Sequence, residues 1–211
     1  MPRRTHDDSI ETKKKILESA QRLFTRRGYE RTSLSDVAKY AGVTRGAIYW
    51  HFENKEELLI SLIDFLETEK FSLGMLNEAS LATEPNPLMK LKNCVKSIAS
   101  EEITQYINST FLSMIISIMN GVSGNSDVRQ KLIELTEMRR NLLVKAFKNC
   151  IAKGQLPANL SINDAVEHLS MFVIGYIDQA RLTHAENIAK NFDFYIDLEF
   201  DLIRKLTSDV I

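Results

Sequence analysis

The sequence predicts an all-α fold with two regions: an N-terminal three-helix domain over residues 1–55, and a larger helical domain over residues 56–211. Three observations carry this. Apolar residues recur at i, i+3, i+4 and i+7 along most of the chain, and no stretch alternates with the period of a strand. The 211 residues contain only eight glycines and four prolines, placed where helices would end, so long helices with short connections are expected. Charge is divided unevenly. Residues 1–55 hold 12 Lys+Arg against 7 Asp+Glu, a balance of +5, while residues 56–211 hold 15 against 21, a balance of −6. A basic head on an acidic body is expected to meet a polyanion through the head alone.

The elements follow in order. Asp8-x-x-Glu11 has the form of a capping box for a first helix, whose apolar stripe is Ile16, Leu17, Ala20, Leu23 and Phe24. Gly28 is placed to end it in the left-handed conformation. Ser33-x-x-Asp36 caps a second helix with Val37, Ala38 and Ala41, which Gly42 interrupts. Thr44 is an N-cap for a third helix over Arg45 to about His51, with Ile48 and Phe52 facing inward. Asn54-x-x-Glu57 opens a fourth, apolar at Leu58, Leu59, Leu62, Ile63, Leu66 and Leu73. Thr83-Glu-Pro-Asn-Pro87 reads as a linker, and helices are expected beyond it at roughly 87–103, 104–121, 126–153, 162–184 and 187–207.

The second and third helices, split by Ala41-Gly42-Val43, have the build of a helix-turn-helix. Such a turn holds two short helices nearly perpendicular and leaves the second clear to enter a major groove. Its first residues, Thr44, Arg45, Gly46 and Ala47, are small apart from one arginine, so the backbone can approach DNA closely. Arginine carries the planar fork that pairs with two acceptors on guanine. Tyr49, His51 and Lys55 supply donors for phosphates, with backbone N–H groups at the start of the fourth helix adding to them.

The run Thr32-Ser-Leu-Ser-Asp-Val-Ala-Lys-Tyr-Ala-Gly-Val-Thr-Arg-Gly-Ala-Ile-Tyr-Trp-His-Phe-Glu-Asn-Lys-Glu-Glu-Leu58 resembles the DNA-binding signature of TetR-family transcriptional regulators. The segment Arg45-Gly-Ala-Ile-Tyr-Trp-His-Phe52 is most similar to the subgroup typified by the AcrR and MtrR repressors of multidrug efflux operons. The resemblance is close over about residues 10–66 and weak beyond. It implies phosphate contacts at Thr32, Ser33 and Lys55, a recognition surface of Thr44, Arg45 and Gly46, and backbone or base-methyl contacts at Tyr49 and His51. Trp50 is expected to pack inward. Arg3 and Arg4 are open between a minor-groove arm and a simple tail.

The resemblance also implies a homodimer, built by pairing the last two helices of each subunit, and a ligand cavity within the body. The last two helices are apolar on more than one stripe, which suits a second partner; Val166, Leu169, Val173, Phe192, Ile196 and Ile203 are the expected dimer residues. Flexible and aromatic side chains point to a pocket for a small-molecule inducer, with Phe71, Tyr106, Phe111, Met114, Met138, Phe172 and Tyr176 as candidates. Ile63 and Glu67 share a face of the fourth helix with Phe71, and a carboxylate there would select cationic lipophilic compounds.

Other classes fare badly. His6, His51, His168 and His184 are scattered, and no cysteine or acid spacing completes a metal or nucleophile set, so no enzyme, metal or cofactor is expected. Cys94 and Cys150 read as reduced thiols. No run of 18 apolar residues suggests a membrane span, and no signal peptide is visible, so the expectation is a cytoplasmic protein of bacterial type, on the nucleoid when DNA-bound. The leading expectation is a ligand-responsive repressor on a pseudo-palindromic operator. The alternative is a helical sensor acting through protein contacts, or an activator.

Overall fold

The structure, a computed structural model, describes residues 6–69, 73–98, 115–116, 126–183 and 191–207. Among the described residues there are nine helices: α1 (His6–Arg27), α2 (Leu34–Ala41), α3 (Arg45–His51), α4 (Lys55–Glu69), α5 (Leu73–Ser80), α6 (Pro87–Ser97), α7 (Ser126–Ala152), α8 (Ile162–Thr183) and α9 (Phe192–Ile203). One isolated antiparallel bridge joins Leu160 to Thr207. No described helix is long and apolar enough to cross a membrane. The helix expected over 104–121 lies almost wholly outside the described residues.

One departure from expectation concerns a helix end. Asp8 does not cap α1, which has already begun at His6; the Asp8 carbonyl accepts a bond from Thr12 Oγ1 at 2.7 Å. Leu73 is the first residue of α5, and residues 70–72 between it and α4 lie outside the described residues.

The chain divides into two compact units, Met1–Glu67 with Ser109–Leu132, and Thr68–Asn108 with Ile133–Ile211. In the first unit, α1 packs on α2 and α2 on α3. Ile16, Ala20, Phe24, Val37, Ala41, Ile48, Phe52, Leu58, Leu59 and Leu62 are all buried, the faces that periodicity assigns inward. Lys131 of α7 pairs with Asp64 of α4 at 2.8 Å in the same unit.

In the second unit, α5 packs on α6, while α9 packs on both α6 and α8. Asn86 caps α6 by accepting from Met89 N at 3.2 Å, with Pro87 in the first turn where its missing N–H is harmless. Gln155, beyond α7, ties into the same end: its Nε2 donates to Asn86 Oδ1 at 2.9 Å and its Oε1 accepts from Leu88 N at 3.0 Å. Lys92–Asp197 at 2.7 Å and Lys96–Asp193 at 3.3 Å join α6 to α9, and Arg140–Glu167 joins α7 to α8. Such exposed pairs contribute about 0–1 kcal/mol each, so apolar burial of Leu91, Val95, Phe147, Val166, Leu169, Ile196 and Phe200 must hold the unit.

That burial corrects the expected dimer residues. Val166, Leu169, Phe192, Ile196 and Ile203 are buried within one subunit, and Val173 is half-buried. The helices do carry a second apolar stripe, on other residues. On α8 it is Met171, Ile174 and Leu182; on α9 it is Phe194, Tyr195, Leu198 and Leu202, all exposed.

Candidate nucleic-acid interface

The helix-turn-helix is built by local hydrogen bonds that the sequence dictates. Ser33 Oγ accepts from Asp36 N at 3.1 Å, and Asp36 Oδ2 accepts in return from Ser33 N at 2.9 Å, a reciprocal box at the start of α2. The bond from the Ser33 hydroxyl, then that from its backbone N–H, holds the Asp36 carboxyl below its ordinary value. At the other end Gly42 sits at φ +66°, where a side chain would be strained, and its N–H reaches the Lys39 carbonyl at 3.2 Å. Two residues later Thr44 Oγ1 accepts from Ala47 N at 3.1 Å, starting α3 without an orphaned donor at that position.

On α3, Ala47 and Ile48 turn inward, followed by Phe52 at the C-cap; Thr44, Arg45, Gly46, Tyr49 and Trp50 are exposed. The Arg45 guanidinium lies 5.5 Å from the Tyr49 ring centroid, one turn on, which restrains a long side chain before any ligand meets it. Trp50 is 72% exposed, so the expectation that it packs inward is corrected. The available signal was its spacing: Trp50 lies one turn beyond Gly46, on the open face, and its ring meets His51 edge-on at 4.6 Å. His51 itself is half-buried.

Two expected phosphate contacts are occupied within the protein. Thr32 is 2% exposed; its Oγ1 donates to the Gly28 carbonyl at 2.8 Å and its N–H to the Tyr29 carbonyl at 3.1 Å. It braces the α1–α2 connection and has no donor left to offer. Lys55 is half-buried, with Nζ donating to the Tyr29 carbonyl at 3.0 Å and lying 4.1 Å from the Tyr29 ring centroid. Its ammonium has three protons, so it positions α4 against that connection first. The start of α4 is likewise less open than expected: Asn54 Oδ1 accepts from Glu57 N at 2.8 Å, and Glu57 Oε2 from Glu53 N at 2.6 Å. Ser33 is exposed, but its hydroxyl and its backbone N–H both donate to Asp36 Oδ2. A concave surface beside α3 is lined by Arg31, Tyr49, Asn54 and Lys55 together with the acidic Glu30, Asp36 and Glu53.

The expected pocket residues that are described divide between the two units. Ile63, buried, and Glu67, half-buried, belong to the first unit. Met138, exposed, and Phe172 and Tyr176 belong to the second. Phe71, Tyr106, Phe111 and Met114 lie outside the described residues.

A short capped helix, presented by a glycine turn and exposing an arginine, a tyrosine and a tryptophan from a basic head, defines a helix-turn-helix protein of the DNA-binding kind. Comparison with known proteins agrees. Residues 16–62 match the family described as bacterial regulatory proteins, tetR family. The chain is 30% identical over 212 residues to the probable HTH-type transcriptional regulator ArpR of Pseudomonas putida, covering 97% of each chain. It has the same identity and coverage to the HTH-type transcriptional regulator TtgR, also of Pseudomonas putida. The fold is shared with SmeT, described as the repressor of the Stenotrophomonas maltophilia multidrug efflux pump SmeDEF (20% identity, 92% and 91% of the two chains, TM-score 0.63). A SmeT–triclosan complex matches at TM-score 0.67, with 22% identity and 91% of each chain. The chain belongs to the tetR family of bacterial regulatory proteins.

Proposed function

We propose that this regulator is a ligand-responsive repressor that binds pseudo-palindromic operator DNA as a homodimer and controls a multidrug efflux or related transport operon from the cytoplasm. The observation that carries the reading is the exposed face of α3. Arg45, restrained by Tyr49, is the base-reading side chain; Thr44 and Gly46 let the backbone approach; Tyr49 and Trp50 supply apolar and polar contacts to methyl groups and backbone; Arg31 serves phosphates, and Ser33 does so only where a phosphate displaces its bonds to Asp36. SmeT, whose description names a multidrug efflux pump as its target, supports the operon class.

The homodimer forms through the second apolar stripe of α8 and α9, Met171, Ile174 and Leu182 with Phe194, Leu198 and Leu202. A twofold dimer presents two α3 helices, so half-sites ~34–36 Å apart, or a multiple of that turn, are required. Small lipophilic compounds release the operator. Ile63 and Glu67 on α4 take part in sensing them, because α4 begins beside α3 at Lys55 and any shift of α4 changes the pose of the head.

Selection of bound fragments from a random DNA pool tests the reading. Enrichment of an inverted repeat, found again near the gene for this chain or a transporter gene, is the expected result. Recovery of sequences without twofold symmetry, or no enrichment at all, overturns it.

A further inference from the structure

Glu199 is 5% exposed, on a stripe of α9 whose other buried members, Phe192, Ile196, Phe200 and Ile203, are all apolar. Its Oε1 lies 2.6 Å from Nδ1 of His168, which α8 presents across the seam and whose side chain is 38% exposed. A buried ion pair adds little stability over a well-packed apolar pair of the same size, and its best-attested use is as a device for register or switching.

The charged groups on the elements packed against Glu199 are engaged elsewhere. α9 packs on α6 and α8. On α6, Lys92 and Lys96 are held by Asp197 and Asp193, and Lys90 by Glu78. On α8, Glu167 is held by Arg140, Asp164 by the Ser161 hydroxyl, and the Tyr176 ring stacks on Phe192, two turns before Glu199. Asp178 is about three turns beyond His168. On α9 itself, Asp201 and Arg204 are exposed. Burial raises Glu199 above its ordinary value of 4.5, and His168 is the charge that opposes the rise. A carboxyl raised in this way contributes stability below its ordinary value and loses it as pH climbs through the folded-state one.

Charge counting gives the behaviour of the pair. With one proton between them the two groups are neutral overall, whichever holds it. Loss of that proton leaves a full negative charge in the seam, and histidine is the side chain suited to such a change between about pH 5 and 8. The seam is the inner side of the face assigned above to the dimer. Leu198 and Leu202 flank Glu199 on α9, and Met171 is one turn beyond His168 on α8, all three exposed.

We propose that His168 and Glu199 form a pH-sensitive latch between α8 and α9, and that loss of their shared proton on the alkaline side of neutrality turns the dimer face out of register and releases the operator. An uncompensated carboxylate in the seam is strongly unfavourable. Rotating α9 to give it water carries Leu198 and Leu202 off the partner, once in each subunit. The proposal rests on the homodimer reading and adds a regulatory input to it.

Sedimentation of the full-length protein at about pH 6 and about pH 8.5 tests the latch across the range in which histidine titrates. Wild type should dimerise at least about tenfold more weakly at the higher pH, a factor of ten being one pK unit of difference between paired and separate subunits. Operator affinity, read by fluorescence anisotropy, should fall in step. Glu199→Gln should hold one dimer constant at both pH values. His168→Gln, at a half-exposed position, should move the weakening to lower pH, because Glu199 then titrates alone. A pH-independent wild-type dimer overturns the latch, as does equal weakening in wild type and Glu199→Gln. Should Glu199→Gln fail to fold, His168→Gln decides, and a profile matching wild type overturns the latch. Constant operator affinity over a weakening dimer overturns the release. A chain that is monomeric at both pH values refutes the homodimer reading and the latch with it, a result distinct from a dimer indifferent to pH.

Discussion

Phe192 and Phe194 are two residues apart on α9 and should behave oppositely. Phe192 is 1% exposed and Phe194 66% exposed, so the first belongs to the subunit core and the second to the proposed dimer face. A phenylalanine side chain offers roughly 150–250 Å², so about 130 Å² of Phe194 stays open in the single chain. At ~25 cal/mol per Å², full cover by a partner would be worth about 3 kcal/mol. Area converts incompletely on association, and half of that figure, counted twice across a twofold axis, leaves about 3 kcal/mol per dimer. Phe194→Glu should therefore weaken the dimer by at least about 100-fold, with charge desolvation adding to it, and leave monomer unfolding near normal. Phe192→Ala should cost ~3–5 kcal/mol of folding stability. Sedimentation velocity across a concentration series, set beside urea melts of the same variants, separates the two effects. An unchanged dimer constant in Phe194→Glu, together with a stable monomeric Phe192→Ala, would refute the assignment of faces.

Arg45→Ala should cost ~1–3 kcal/mol at the cognate site and relax preference at one position of each half-site, read by competition between cognate and point-mutated duplexes. Lys55→Met should lower the thermal stability of the DNA-free protein by about 1–2 kcal/mol through the lost Tyr29 carbonyl bond and ring contact; a reduced salt slope with unaltered stability would return Lys55 to plain phosphate contact. Glu199 titrates above its ordinary 4.5 because burial outweighs the opposing pull of His168. A carboxyl with a raised folded-state value contributes stability that is complete below the ordinary value and is lost as pH rises through the folded-state one. Glu199→Gln should therefore flatten the fall in melting temperature on the neutral side, and parallel curves for the two proteins would count against it. Glu67→Gln should reduce affinity for cationic lipophilic dyes several-fold while sparing ligand-free operator binding; equal calorimetric affinities would remove Glu67 from the sensing machinery.

The parts of the fold legible in the sequence are those fixed over three or four residues. The Ser33 and Thr44 caps, the Gly42 turn and the inward set Ile48 and Phe52 rest on bonds and periodicities contained within a single helix and its flanks. What eluded reading depends on distant neighbours. Thr32 looks like a phosphate donor until the carbonyl of Gly28 is seen above it, and Lys55 looks free until Tyr29 is in place, 26 residues earlier. On α8 and α9 the pattern shows two apolar stripes, but periodicity cannot say which faces α6 and which a second subunit. The inward stripe of α9, Phe192, Ile196, Glu199 and Ile203, even includes a carboxylate, which hydropathy would have turned outward.

The unit containing the head is not continuous along the chain: residues 1–67 are completed by 109–132. During synthesis the ribosome delivers α1 to α4 well before Val128, Lys131 and Leu132, of which Val128 and Leu132 are buried and Lys131 holds Asp64. Closing that gap requires a non-local pairing across 41 intervening residues (68–108), a loop whose closure entropy must be met before its contacts form. The helix-turn-helix can therefore take shape on the nascent chain, yet α4 cannot be locked until residue 132 has left the exit tunnel. A fragment cut after α4 would keep the recognition surface and lose that lock, so truncation is a poor way to isolate the head.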